Sequence, residues 1–192
     1  MTMKRDFSIA LLAAMLCAGA ASAQDKAGLV EEAKTLIQQF GGTLKAELQA
    51  AMKEKGPVHA IEVCNTRAPE IAARISADSG WSVGRSSHRL RNPANAPDAY
   101  TAAAIEEFLK RQDAGEKPDT LVKAEIVEED GHKVFRMVKA IPTGGVCLNC
   151  HGGDQVKPEV EAALARLYPQ DRARGFRSGE MRGVFTLSRR LD

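Results

Sequence analysis

The stretch TLVKAEIVEEDGHKVFRMVKAIPTGGVCLNCH, residues 120–151, decides the fold class. From Thr120 to Val127 and again from His132 to Ala140, apolar and polar side chains alternate, the period of a strand with one buried face. Between the two runs lies Glu129-Asp130-Gly131, and an Asp-Gly pair suits a tight turn whose central residues need positive φ. These features predict a β-hairpin. Directly after its second strand the chain spells Cys147-Leu148-Asn149-Cys150-His151, framed by Gly144-Gly145 and Gly152-Gly153.

Two thiols at that spacing followed by a histidine form the attachment signature of c-type haem. The thiols of Cys147 and Cys150 add to the haem vinyl groups, and His151 reaches the iron as proximal ligand. A redox dithiol with an incidental histidine is the competing reading. Such dithiols open a helix after a strand in a βαβ unit, whereas this motif sits between glycine pairs near the C-terminal end. The surroundings also exclude the familiar cytochrome plans. A small electron-carrier cytochrome c has its motif near the N-terminus and a methionine ligand far downstream, but here only Met181 follows. An all-helical four-helix cytochrome does place the motif late, yet strands flank it here. A single CxxCH leaves no multihaem wire within this chain.

Upstream, residues 26–55 repeat Leu29, Ala33, Leu36, Ile37, Phe40, Leu44, Leu48 and Met52 at helical period, and Gly56-Pro57 stops them. Gly41-Gly42 is expected to bend or divide this helix. A second stripe runs Ile61, Cys64, Ala68, Ile71, Ile75, so Cys64 faces inward; Pro69 predicts a kink or fresh start near Asn65 or Thr66. Residues 80–97, rich in Gly, Ser, Asn, Pro and Arg, read as a long loop. Asp98 is placed to cap a helix to about Ala114, Pro158 to Leu167 reads as a helix, and Met181 to Ser188 as a last strand. The whole predicts one α+β domain over residues 24–192, long helices first and then an antiparallel sheet.

Residues 1–23 have the form of a secretory signal peptide: Lys4 and Arg5, an apolar run from Phe7 to about Cys17, then Ala21-Ser22-Ala23. The run is shorter than the ~20 residues a membrane span needs. The expected product is soluble, periplasmic and without a membrane span after cleavage. Of the four cysteines, Cys17 leaves with the leader and Cys147 and Cys150 are taken by the haem. Cys64 is then a lone thiol in an oxidising compartment, either an iron ligand or a buried core residue. His59, His88 and His132 compete with it as ligand, but His132 lies at the hairpin turn and His59 sits off the Cys64 stripe. Arg85, Arg89 and Arg91 are candidates for the haem propionates, because a guanidinium binds a carboxylate through two parallel bonds; a solvated basic loop is the alternative.

Composition agrees with this picture. Of 192 residues, 44% are hydrophobic and 27% charged, ordinary for a globular protein and too apolar for a disordered polyelectrolyte. Lys+Arg 27 against Asp+Glu 25 gives +2, and without Lys4, Arg5 and Asp6 the balance is 25 against 24, so nucleic acid is not an expected partner. Aromatic residues make up only 5%, which favours aliphatic helix faces and a large non-protein apolar group as core filling.

Four ordered motifs resemble one family: Ala60-Ile61-Glu62-Val63-Cys64-Asn65 with Ala68-Pro69-Glu70-Ile71-Ala72; Gly84-Arg85 with Arg91-Asn92-Pro93-Ala94-Asn95-Ala96-Pro97-Asp98; Cys147 to Gly152; and Gly179-Glu180-Met181-Arg182-Gly183. It is the periplasmic c-type haem-binding family with a PAS-like fold, long catalogued as a domain of unknown function and found also as the sensory half of some signalling proteins. The resemblance implies a PAS-like antiparallel sheet, one covalent haem c, and an axial pair formed by His151 and Cys64. His88 stands where that family's loop has an apolar residue. A thiolate ligand favours Fe(III) and so a low reduction potential. On reduction the thiolate is held less well, and its departure opens a position to a small gas ligand. The expected function is a redox or small-ligand sensor, not an enzyme, acting through a separate redox or signalling protein. A low-potential electron-transfer cytochrome is the alternative.

Overall fold

The chain begins with α1 (Ile9–Ser79), which is two helical limbs folded at Gly56. The computed structural model describes the backbone of residues 9–192 and side chains from residue 25, so the expected signal peptide lies outside the fully described residues. Gly56 has φ 81° and ψ −171°, a conformation open to glycine almost alone. Pro57 then starts the second limb, where its missing N–H would have had no partner anyway. The limbs lie against each other. Arg67 donates Nε and Nη2 to Glu47 at 2.9 and 3.0 Å, and Ala33, Leu36, Ile37 and Phe40 share a buried cluster with Ile71 and Ile75.

Two expectations about this helix fail. It passes through Gly41-Gly42 undivided, and Gly41 serves close approach instead, since a Cβ there would lie 3.1 Å from Cζ of Phe185. It also passes through Pro69, because only Gly56 departs from helical torsions. The loss of one backbone bond at Pro69 is outweighed by the packing of Ala68 and Ile71, both buried on the apolar stripe.

Four antiparallel strands follow: β1 (Ser82–Ser86), β2 (Val122–Glu129), β3 (His132–Pro142) and β4 (Met181–Arg190), in the order β1-β4-β3-β2. Strand β1 corrects the expectation of a loop over residues 80–97 and of helices wholly preceding the sheet. Its only large apolar residue is Val83, so the strand period is invisible in isolation; pairing with β4, Val83 opposite Leu187, makes it a strand. The hairpin of β2 and β3 turns at Asp130 and Gly131, whose φ values of 52° and 78° are those of a two-residue turn with both centres left-handed.

Alternation then assigns the faces. Val83, Phe135, Met137 and Leu187 meet α1. Val138, Ala140 and Val184 meet α2 (Ala99–Asp113) through Ala104, Ile105 and Phe108. Asp98 caps α2 as expected, its Oδ1 accepting from Thr101 N at 2.7 Å. The motif occupies α3 (Leu148–His151), a single turn, and α4 (Pro158–Leu167) packs Val160, Ala163 and Leu164 on Ile61 of the second α1 limb, with Cys150 at the edge of that cluster. The site thus lies where α1, α3 and α4 meet one end of the sheet.

Candidate functional site

The register shift at Ile141/Pro142 ends the β3–β4 ladder, and the chain passes through a 3-10 turn, Gly145–Cys147, into α3. Gly152 closes that turn, its N–H reaching Leu148 O at 3.1 Å. A Cβ at Gly152 would stand 2.7 Å from that same carbonyl, so a side chain there would push the turn open. The segment between α4 and β4 orients His151: Nδ1 lies 3.0 Å from the carbonyl of Ala173. A carbonyl only accepts, so Nδ1 carries the proton and Nε2 keeps its lone pair. Burial, with the cations of Arg91 and Arg182 nearby, pushes the His151 pKa well below its usual value and holds the ring neutral.

Arg91 ties the motif to its surroundings. It donates to Asp171 Oδ2 at 3.2 Å, to the carbonyls of Cys150 and Ala173 at 2.5 and 3.2 Å, and to Nε2 of His151 at 3.4 Å. The last is its longest contact and the one a metal on Nε2 would replace. Arg89 is turned elsewhere, donating Nη1 to the Arg174 carbonyl at 3.0 Å and stacking over Phe176 at 4.8 Å. Phe176 also receives the rings of His88 and His151 edge-on, with centroids 5.6 and 6.0 Å away. His59 faces Glu54 and Glu62 at 3.6 and 3.9 Å, and His132 faces Asp192 at 3.3 Å.

Cys64 comes to the same place from the second α1 limb. Burial pushes its thiol up, while Arg85, Arg91 and Arg182 pull the other way. The same three arginines act on His151, and Cys64 acts on Cys150. The fold therefore gathers Cys64, Cys147, Cys150, His151, Arg85 and Arg91, and leaves Arg89 and His88 around Phe176. Two residues were not singled out from the sequence. Arg182, in the last of the four resembling motifs, lies near Cys147 and Cys64, and Tyr168, whose hydroxyl burial pushes up, lies near Asn65, Cys64 and Arg91.

The charges in this space are unbalanced. Burial, reinforced by Arg182, depresses the Arg85 guanidinium to about 10, and among the described residues Arg85 has no ion-pair partner. The Nε of Arg182 is also buried and has no hydrogen-bond partner. The nearby carboxylate, Asp171, is engaged by Arg91 and Arg174. Unpaired buried cations are costly, so these surroundings suit a group that brings its own carboxylates. Among the described residues no three His, Cys, Asp or Glu side chains are placed to hold a metal ion; the thiols and imidazole do not close on a point as ligands of a bare ion do. The residues fit a haem: two thiols for its edge, a neutral imidazole for its iron, and cations for its propionates.

A four-stranded antiparallel sheet with a helical hairpin on one face is a fold that is also met elsewhere. The family model Tll0287-like matches residues 21–189, and the chain belongs to that family. Its fold is similar to that in the crystal structure of the cyanobacterial heme-protein Tll0287, with a TM-score of 0.66 and 23% identity over 86% of this chain and 96% of that one. No curated protein matches.

Proposed function

We propose that the chain is an exported, periplasmic mono-haem c-type protein with a PAS-like fold that senses redox state or a small gas ligand through His151 and Cys64. The observation that carries this reading is the neutral His151, its Nδ1 spent on Ala173 and its Nε2 left with a lone pair, in a space shared with Cys64 and two unpaired arginines. When bound, the haem supplies a one-electron couple and an iron that takes axial ligands. Cys147 and Cys150 would hold it as thioethers, and Arg85 and Arg182 would bind its carboxylates. Cys64 as thiolate favours the ferric state. Burial raises its pKa, so a Cys64 not held by iron would keep its proton on Sγ and would not be a competing anion. The second α1 limb carries Cys64, so its position responds to the state of Cys64, and that limb is the surface offered to a separate signalling partner.

Maturation should give a mass of residues 24–192 plus one haem, retained through acid-acetone extraction, in the soluble periplasmic fraction. The ferric protein should be low-spin with a thiolate-type EPR signature. Cys64→Ser should keep the covalent haem, lose that signature and raise the reduction potential. A wild-type spectrum in Cys64→Ser would make Cys64 a core residue and move the test to His88. Fast collisional exchange with electron donors in stopped flow would favour an electron-transfer cytochrome over a sensor.

A further inference from the structure

The face of the sheet beneath α2 changes character from one edge to the other. Toward β3 it presents Val138, Ala140 and Val184, which α2 covers. Toward β1 the same face presents Ser82, Gly84 and Ser86, paired across the ladder with Ser188, Thr186 and Val184. Small hydroxyl-bearing residues and a glycine do not fill the space under the chain at 94–98. A cavity of about 250 Å³ opens there, with Asp98, Thr101 and Arg136 on its remaining side. The pocket is open to solvent on one side, and a recess with polar walls holds water or a ligand.

Several hydroxyls around it are already engaged. Ser86 Oγ donates to the Asn95 carbonyl at 2.8 Å, and Thr101 and Thr186 share a hydroxyl bond at 3.2 Å. Among the buried side chains of the lining, Arg136 has an unused donor. Its side chain is 8% exposed; Nη1 donates to Glu129 at 2.9 Å and Nη2 to Asp98, but Nε has no partner. A buried donor left unmade carries its full desolvation cost. The guanidinium is already faced by two carboxylates, so an anion meets Asp98 and a cation meets Arg136. An uncharged acceptor oxygen meets neither objection.

We propose that this cavity is a binding site for a small uncharged molecule bearing hydroxyl or carbonyl oxygens, in the size range from glycerol to a pentose, anchored by Arg136 Nε–H. The volume lies below that of drug-sized sites. The site is on the α2 side of the sheet and does not rest on the haem reading.

The test uses the full-length protein labelled with ¹⁵N. Glycerol, D-ribose and propionamide serve as uncharged probes, acetate and methylammonium as charged ones. At least one uncharged probe should shift the Arg136 Nε–Hε resonance saturably and raise Tm by about 2 °C or more. Gly84→Val should fill the cavity, since a Cβ there lies 3.6 Å from Thr186 Cγ2 in ordinary contact, and should weaken binding about tenfold or more. Ser188→Val tests the same filling from β4 and covers a failure of Gly84→Val to fold. A silent Arg136 resonance with all three uncharged probes would mean a water-filled cavity and overturn the proposal. So would a preference for acetate or methylammonium, or binding that both filled variants leave unchanged.

Discussion

A histidine coordinates through the nitrogen it does not spend elsewhere, and for His151 the Ala173 carbonyl makes that choice. The motif made His151 a candidate ligand from the sequence, while the lone thiol and the inward stripe left Cys64 open between iron ligand and core residue, and the family resemblance favoured the ligand. The sequence could not show which arginines lack partners, because composition records a charge and not its neighbours. Arg91 and Arg89, both candidates for the propionates, are spent on Asp171 and on protein carbonyls, whereas Arg182, to which no sequence signal gave a role, has a buried and idle Nε. The two kinds of residue should act on the reduction potential with opposite sign. With Cys64 as the proposed ligand, Cys64→Ser removes a donor that favours Fe(III) and should raise the potential. Arg182→Met removes a cation that favours the reduced state and should lower it, on the order of 60 mV, tenfold in a one-electron equilibrium. Potentiometric titration of both variants checks the pair; a potential unmoved in Arg182→Met would remove Arg182 from the haem environment.

At the scale of elements, strong local signals were legible and weak ones needed a partner strand. Gly56-Pro57 stopped a helix as read, the Asp130-Gly131 turn formed as read, and Asp98 capped α2. Strand β1 was hidden because Ser82, Gly84 and Ser86 advertise a loop; only β4 shows otherwise. Gly56 gives an element-level test, since its φ of 81° with ψ −171° excludes side chains while open space surrounds the position. Gly56→Ala should cost about 1–3 kcal/mol of purely conformational origin, lowering Tm on the order of 5 °C in thermal melts. An unchanged Tm would mean the hairpin turns without that torsion. Asp98 gives another. Burial pushes its carboxyl up, but the bonds from Thr101 and the Arg136 guanidinium prevail and leave it below its ordinary value. A depressed folded-state pKa contributes stability above the unfolded value and loses it as pH falls through the folded one. Asp98→Ala should therefore cost about 1–2 kcal/mol at pH 7, and the difference from wild type in urea unfolding should shrink as pH falls below about 3.8. A gap that stays constant through that range would show that the carboxylate charge is not the source of the stabilisation.

For the whole molecule, the open question is whether the site unfolds with the sheet or by itself. Backbone bonds tie the segment after α4 to the residues around it. Arg172 N reaches Leu90 O at 2.7 Å, Gly175 N reaches Gly152 O at 2.9 Å, and Phe176 N reaches His151 O at 2.9 Å. Arg91 spans all three segments with its bonds to Asp171, Cys150 and Ala173. The two faces of the sheet carry separate apolar clusters, one against α1 and one against α2, that Arg91 does not enter, and the smaller cluster of α4 with Ile61 and Cys150 is distinct from both; a region outside the main clusters can open locally at lower free energy than the core. Lysine keeps the charge but cannot reproduce a planar fork that serves several acceptors at once. Arg91→Lys should therefore cost about 2–3 kcal/mol locally, with Arg174 still neutralising part of Asp171. Native-state hydrogen exchange should read this as a roughly thirtyfold or greater acceleration at the amides of Arg172, Gly175 and Phe176, where 1.4 kcal/mol is tenfold. The β3 amides of Met137 and Val138 should stay within about threefold of wild type. Equal acceleration at both sets would show one cooperative unit, and the site could not then change state without the sheet.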